Sequence, residues 1–108
     1  MFTNTVALIF HLRKNKISTP EAIAAFGNLK FTKITSLDLN ANDINTPVAI
    51  AAFGNLKGTN VRCLYLGFNN INSSAAVAAL GNLKGTLITE LSLVHNYINT
   101  SEKIAALR

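Results

Sequence analysis

The chain has 108 residues, a length suited to one small domain. Apolar residues make up 49% of it and charged residues 14%, which excludes an intrinsically disordered segment. Ten Lys and Arg stand against five Asp and Glu, a formal charge of +5 with an isoelectric point near 9.7, and Cys63 is the single cysteine, which excludes an intramolecular disulfide.

A 27-residue unit runs through the chain without insertion or deletion. Ala7, Ile34, Val61 and Ile88 open its copies. Phe10, Leu37, Leu64 and Leu91 follow three residues on, then Leu12, Leu39, Leu66 and Leu93, then Asn15, Asn42, Asn69 and Asn96. Ile17, Ile44, Ile71 and Ile98 close the phrase. A fixed period of this size means an array in which each unit buries its apolar face against its neighbours. The units are 7–33, 34–60, 61–87 and 88–108, with 1–6 the end of a preceding one, all within a single domain 1–108.

Within each unit, alternation of apolar and polar residues, as in Leu37-Asp38-Leu39, predicts a short strand. Strands are expected near 8–12, 36–39, 63–66 and 90–93. The Asn at the bend is expected to satisfy backbone groups of its own turn and of the adjacent unit. Helix starts follow. Thr19-Pro20 and Thr46-Pro47 pair a capping hydroxyl with a proline at the first helical position, Thr100-Ser101-Glu102 also fits, and Ser73-Ser74 is the weakest version. Ile50, Phe53 and Leu56, with their counterparts in the other units, lie on one face. Helices are expected near 20–29, 47–56, 74–83 and 101–107, with Gly58 and Gly85 as stops. A strand followed by a helix, repeated in one sense, requires a parallel sheet with right-handed crossovers. The sequons at Asn72 and Asn99 fall at these helix starts and are expected to serve turn chemistry. The expected fold is α/β: a right-handed solenoid of four strand–helix units, its parallel sheet on the concave side.

The phrase ITSLDLNANDI resembles the leucine-rich repeat signature LxxLxLxxNxL, and VRCLYLGFNNI and ITELSLVHNYI repeat it. ALIFHLRKNKI fits less well, with Ala7 and Phe10 in framework slots. Unit length and the helical outer segment are most similar to the ribonuclease-inhibitor-like subclass, here short and without capping repeats. The resemblance implies a protein-interaction scaffold that binds on its concave face. Members of this kind occur in innate-immune sensors, in regulators and in bacterial effector proteins delivered into host cells.

The strand positions that point away from the core form columns. One is Ile9, Ser36, Cys63 and Glu90, and the next is His11, Asp38, Tyr65 and Ser92. A third is Arg13, Asn40, Gly67 and Val94, followed at the bend by Lys14, Ala41, Phe68 and His95. These slots vary from unit to unit while the framework stays constant in type. The candidate partner-binding residues are His11, Arg13, Asp38, Asn40, Tyr65, Phe68, Glu90, Ser92 and His95. Tyr65 and Phe68 are the expected anchors, because aromatic groups dominate interface energetics. His11 and Asp38 sit one unit apart in one column. Without a nucleophile or an oxyanion site they suit a surface ion pair better than catalysis. No enzyme activity, metal site or cofactor is expected.

A basic chain raises nucleic acid as a partner. Lys30, Lys57 and Lys84 nonetheless share one repeat position, a column on the array's edge. No aromatic residue interleaves with that column in the repeat frame, so it is expected to be a solvated basic edge with neither nucleic acid nor membrane as partner. Residues 6–10 are too short an apolar run for a signal core or a membrane span. The expected location is cytoplasmic, or a host cell reached without a cleavable signal. The alternative to a partner-binding module is a structural or self-assembling segment of a longer array. Arg108 aligns with Gly81, and Met1 to Val6 align with 28–33. One molecule's start therefore has the slots to complete another's last unit, and end-to-end association is expected.

Overall fold

The computed structural model describes residues 8–98. The helix expected at 101–107 and both chain ends lie outside them. Four strands, β1 (Leu8–His11), β2 (Ile34–Asp38), β3 (Cys63–Tyr65) and β4 (Glu90–Ser92), pair in parallel in the order β1-β2-β3-β4. Their register is that of the sequence repeat: His11 faces Asp38, Asp38 faces Tyr65, and Tyr65 faces Ser92. One irregularity, between Leu8 and Ile9, sets Leu8 opposite Ile34. Past the strands the ladder continues into the bend, through Leu39 N–H to the Tyr65 carbonyl at 3.0 Å and Phe68 N–H to the Val94 carbonyl at 3.0 Å.

The bend is held by the asparagine column. Oδ1 of Asn69 accepts from the N–H groups of Asn42 (2.8 Å) and Ile44 (3.0 Å), and its Nδ2 donates to the carbonyls of Leu39 (3.1 Å) and Gly67 (3.1 Å). Asn42 does the same for Asn15, Ile17, Leu12 and Asn40, and Asn96 for Asn69, Ile71 and Leu66. Each amide thus ties its own bend to the preceding unit. Among the described residues no buried side-chain N or O lacks a hydrogen-bond partner, as the cost of an orphaned polar group demands.

Three helices follow the bends: α1 (Pro20–Ala24), α2 (Pro47–Ala51) and α3 (Ser74–Ala79). The side chains of Thr19, Thr46 and Ser73 cap them, accepting from Ala22, Ala49 and Ala76 N–H. The α-helices are shorter than expected. After five or six residues each tightens into a 3-10 segment, at Ala25–Phe31, Ala52–Leu56 and Leu80–Leu83. The cause is in the apolar spacing. Ile50, Phe53 and Leu56 recur every three residues, the period of a 3-10 helix, in which positions i and i+3 eclipse. Gly27 adds close approach: a Cβ there would lie 3.2 Å from the Asn55 carbonyl oxygen of the next unit. Thr59 then turns the chain into β3, its hydroxyl donating to the Leu56 carbonyl at 2.6 Å.

The core lies between the sheet and the helices. Leu37, Leu39, Ile44, Ile50, Phe53, Val61, Leu64, Leu66, Ile71 and Val77 have no exposed surface. In the first unit one substitution changes the path. Gly58 and Gly85 leave their 3-10 segments at φ +86° and +87°, a conformation costly for a residue with a side chain. Phe31 holds that repeat position, keeps a negative φ, and lets the 3-10 segment run on through Lys30 and Phe31, where its counterpart in the second unit stops at Leu56. Its ring is left 99% exposed, directly after Lys30. The basic edge therefore does carry an aromatic neighbour, and a large one. No helix among the described residues is long and apolar enough to cross a membrane.

Candidate interaction face

The parallel register converts the repeat columns into rows across the sheet, on the face turned away from the core. Neighbouring strands are about 4.8 Å apart, so residues of one column stand within side-chain reach. His11 and Asp38 meet in this way, Nδ1 to Oδ2 at 4.0 Å, with the imidazole 73% exposed and the carboxylate 17% exposed. The other oxygen of Asp38 accepts from the Asn40 N–H at 3.2 Å, and the Asn40 amide oxygen accepts from the Gly67 N–H at 2.7 Å. A polar chain thus runs from His11 through Asp38 and Asn40 to the backbone of the third unit.

Tyr65 is half-buried next to Asp38 in this column. Burial pushes its phenol above the ordinary value, and the neighbouring Cys63, Glu90 and Asp38 push in the same direction, because each disfavours a phenolate. Ser92 completes the column, half-buried opposite Tyr65. Arg13 and Glu90 are exposed on the first and last described units and do not meet. Ser36 is only 4% exposed. It is small and lies between Ile9 and Cys63 in mid-sheet, so it offers no contact surface despite its column.

At the bend Phe68 and His95 stack, ring centroids 4.3 Å apart and planes 19° from parallel. The anchor expected singly is half of an aromatic pair. Both residues sit at positive φ, +58° and +56°, as do Lys14 and Ala41 of the same column. A bulky residue in that region is uncommon, so Phe68 is kept there against its backbone preference. Val94 and Tyr97, 53% and 67% exposed, belong to the same bend. Tyr97 was not among the expected contact residues. Its column, Lys16, Asp43, Asn70 and Tyr97, follows the buried Asn, but its variation from unit to unit marks it as surface.

Among the described residues no group of three His, Cys, Asp or Glu side chains is placed to hold a metal ion. The face therefore presents a polar strip on the first two units and an aromatic strip on the last two, on a backbone fixed by hydrogen bonds between units. Comparisons with protein-family models, curated proteins and solved structures returned no match.

Proposed function

We propose that the chain is a right-handed solenoid of the leucine-rich-repeat type, a single domain, and a non-enzymatic scaffold that binds a protein partner through its concave face. The sequence phrase, the parallel register and the asparagine column support the solenoid. The binding role rests on one observation: the column His11, Asp38, Tyr65 and Ser92 changes chemistry at every unit while the framework beneath it stays constant. Phe68 stacked on His95 supplies a rigid aromatic anchor of the kind that dominates interfaces. The partner is expected on this face in the cytoplasm, or in a host cell into which the chain is delivered. Affinity capture with cross-linking tests the reading. Tyr65→Ala and Phe68→Ala should retain the circular dichroism and melting of the parent and lose a captured protein. Capture unchanged by both variants, or lost only in step with stability, would remove the proposal.

A second reading, end-to-end association, is favoured by the flank of the last described unit. There Leu80, Leu83, Ile88 and Leu91 line an open apolar groove of about 420 Å³. At the other flank the edge strand exposes Leu8, Ile9 and Phe10, and uncovered strand edges are association-prone. Sedimentation across a concentration series separates the readings: a monomer throughout rules association out.

A further inference from the structure

The face described above does not use the chain's charge. Because the strands are parallel, the segments that feed β2, β3 and β4 line one edge of the sheet. These segments, 28–35, 55–62 and 82–89, contain Lys30, Lys33, Lys57, Arg62 and Lys84 and no acidic residue. The other five basic residues of the chain are matched by its five acidic ones, so the whole formal excess of +5 belongs to this rim. All five side chains are exposed. The lysines are laid in a row: a Cβ built on Gly58 would lie 3.5 Å from Lys30 Cε, and one on Gly85 3.9 Å from Lys57 Cε. Each stem thus runs along the glycine of the next unit. Lys30 and Lys57 also border an open groove of about 690 Å³ with Asn28 and Asn55.

Apolar groups stand on the same rim. Phe31 is 99% exposed and Leu87 43% exposed, at the two ends of the lysine row. A phenyl ring this exposed, beside a cluster of cations, is suited to a partner that supplies both negative charge and an apolar interior. We propose that this rim docks on an anionic lipid surface, with Phe31 inserted between headgroups and Lys30, Lys33, Lys57, Arg62 and Lys84 over the acidic ones. Anionic leaflets attract clustered Lys and Arg over a Debye length, and a partly inserted apolar side chain adds to that attraction. Single-stranded nucleic acid fits less well. It is held by successive stacking rings, whereas this rim has one ring, and Leu87 has no π-face to offer.

The chain contains no Trp, so Phe31→Trp gives a single fluorescent reporter at a site where substitution cannot disturb the core. The probes are phosphatidylcholine vesicles with and without phosphatidylserine, and polyuridylate. The expected results are co-flotation with the phosphatidylserine vesicles alone, a blue shift of Trp emission on binding, and release near 1 M salt, where the Debye length is about 3 Å. Phe31→Ser should weaken partition about tenfold or more, the loss of one buried aromatic ring. Lys30→Glu with Lys57→Glu should weaken it at least as much. Absence of flotation, emission unshifted on bound vesicles, or Phe31→Ser binding like the parent would overturn the proposal. Tighter binding to polyuridylate than to the vesicles would overturn it in favour of nucleic acid. None of these outcomes involves Phe68 or Tyr65, so the rim and the sheet face stand or fall separately.

Discussion

Asn69 is bound to Asn42 through its side chain, not through the sheet: its Oδ1 takes the Asn42 N–H at 2.8 Å and the Ile44 N–H at 3.0 Å. Asn42 in turn takes the N–H groups of Asn15 and Ile17, so adjacent units are joined at every bend by the same pair of bonds. The bend needs this because residues on both sides of each Asn are at positive φ, Ala41 and Asp43 among them. The Ala41 N–H still reaches the Gly67 carbonyl, but the turn takes the N–H groups of Asn42 and Ile44 out of the ladder, and the side chain supplies their acceptor.

Removing that amide leaves the N–H groups of Asn42 and Ile44 and the Leu39 carbonyl short of a partner, while the Gly67 carbonyl keeps the Ala41 N–H at 2.9 Å. Asn69→Ala is therefore expected to cost on the order of 3 kcal/mol or more, given about 1–3 kcal/mol for each unsatisfied buried group. Asn15→Ala, at an exposed residue whose amide reaches only the Arg13 carbonyl among the described residues, should cost under about 1 kcal/mol. Urea denaturation of both variants checks the contrast. Equal losses would show that the column is not what couples the units.

Much of this was legible because the repeat fixes one register for everything. Once Leu37 and Leu64 share a slot, Asp38 must face Tyr65, and the structure places them so. The capping roles of Thr19, Thr46 and Ser73 follow from single residues and need no tertiary knowledge. The helices were less legible. Ile50, Phe53 and Leu56 satisfy both an amphipathic α-helix and a 3-10 helix, and only the packing of Gly27 and Gly54 against the next unit decides between them. The face was least legible. No column records that Ser36 is covered while Phe68 finds His95, since both depend on side-chain size and direction. Phe31 is not legible at all, because a break in a glycine column carries no sign of where the ring goes.

Leu66 is fully buried in an internal unit, with the core on one side and neighbouring strands on both flanks. Leu66→Ala should lower stability by about 2–5 kcal/mol, the range for a leucine cavity that the surroundings cannot close. A loss below about 1 kcal/mol by chemical denaturation would contradict the packing described.

The glycines should separate by their neighbours. At Gly67 a Cβ would stand 2.8 Å from Val94 Cγ2, 3.1 Å from Asn40 Oδ1 and 3.2 Å from the Val94 carbonyl oxygen. Gly67→Ala must displace backbone as well as side chain and should cost about 1–3 kcal/mol. Val94→Ala in the same molecule should recover only part of that. At Gly81 a Cβ meets nothing within 4 Å, and Gly81→Ala should be neutral or stabilise by up to about 1 kcal/mol through the unfolded chain's lost freedom. Thermal melts should place Gly67→Ala below the parent and Gly81→Ala at or above it.

The last expectation concerns alkaline pH. The phenol of Tyr65 is raised above its ordinary value of 10.0, first by burial and then by Cys63, Glu90 and Asp38. An acid whose folded pKa is raised keeps its proton in the native state after the unfolded chain has released it. Below pH 10 both states hold the proton and the group leaves stability independent of pH. As pH climbs from the unfolded value through the folded one, the unfolded state gains, and stability falls. Tyr65→Phe removes this dependence. Its denaturation free energy should decline less steeply than the parent's above pH 10, while the two curves run parallel between pH 7 and 9. Absorbance titration near 295 nm supplies the second readout: Tyr65→Phe should remove a late-titrating phenolate from the parent's curve. Identical alkaline slopes in parent and variant would mean that the phenol is solvated and that neighbouring Cys63, Glu90 and Asp38 exert no field on it.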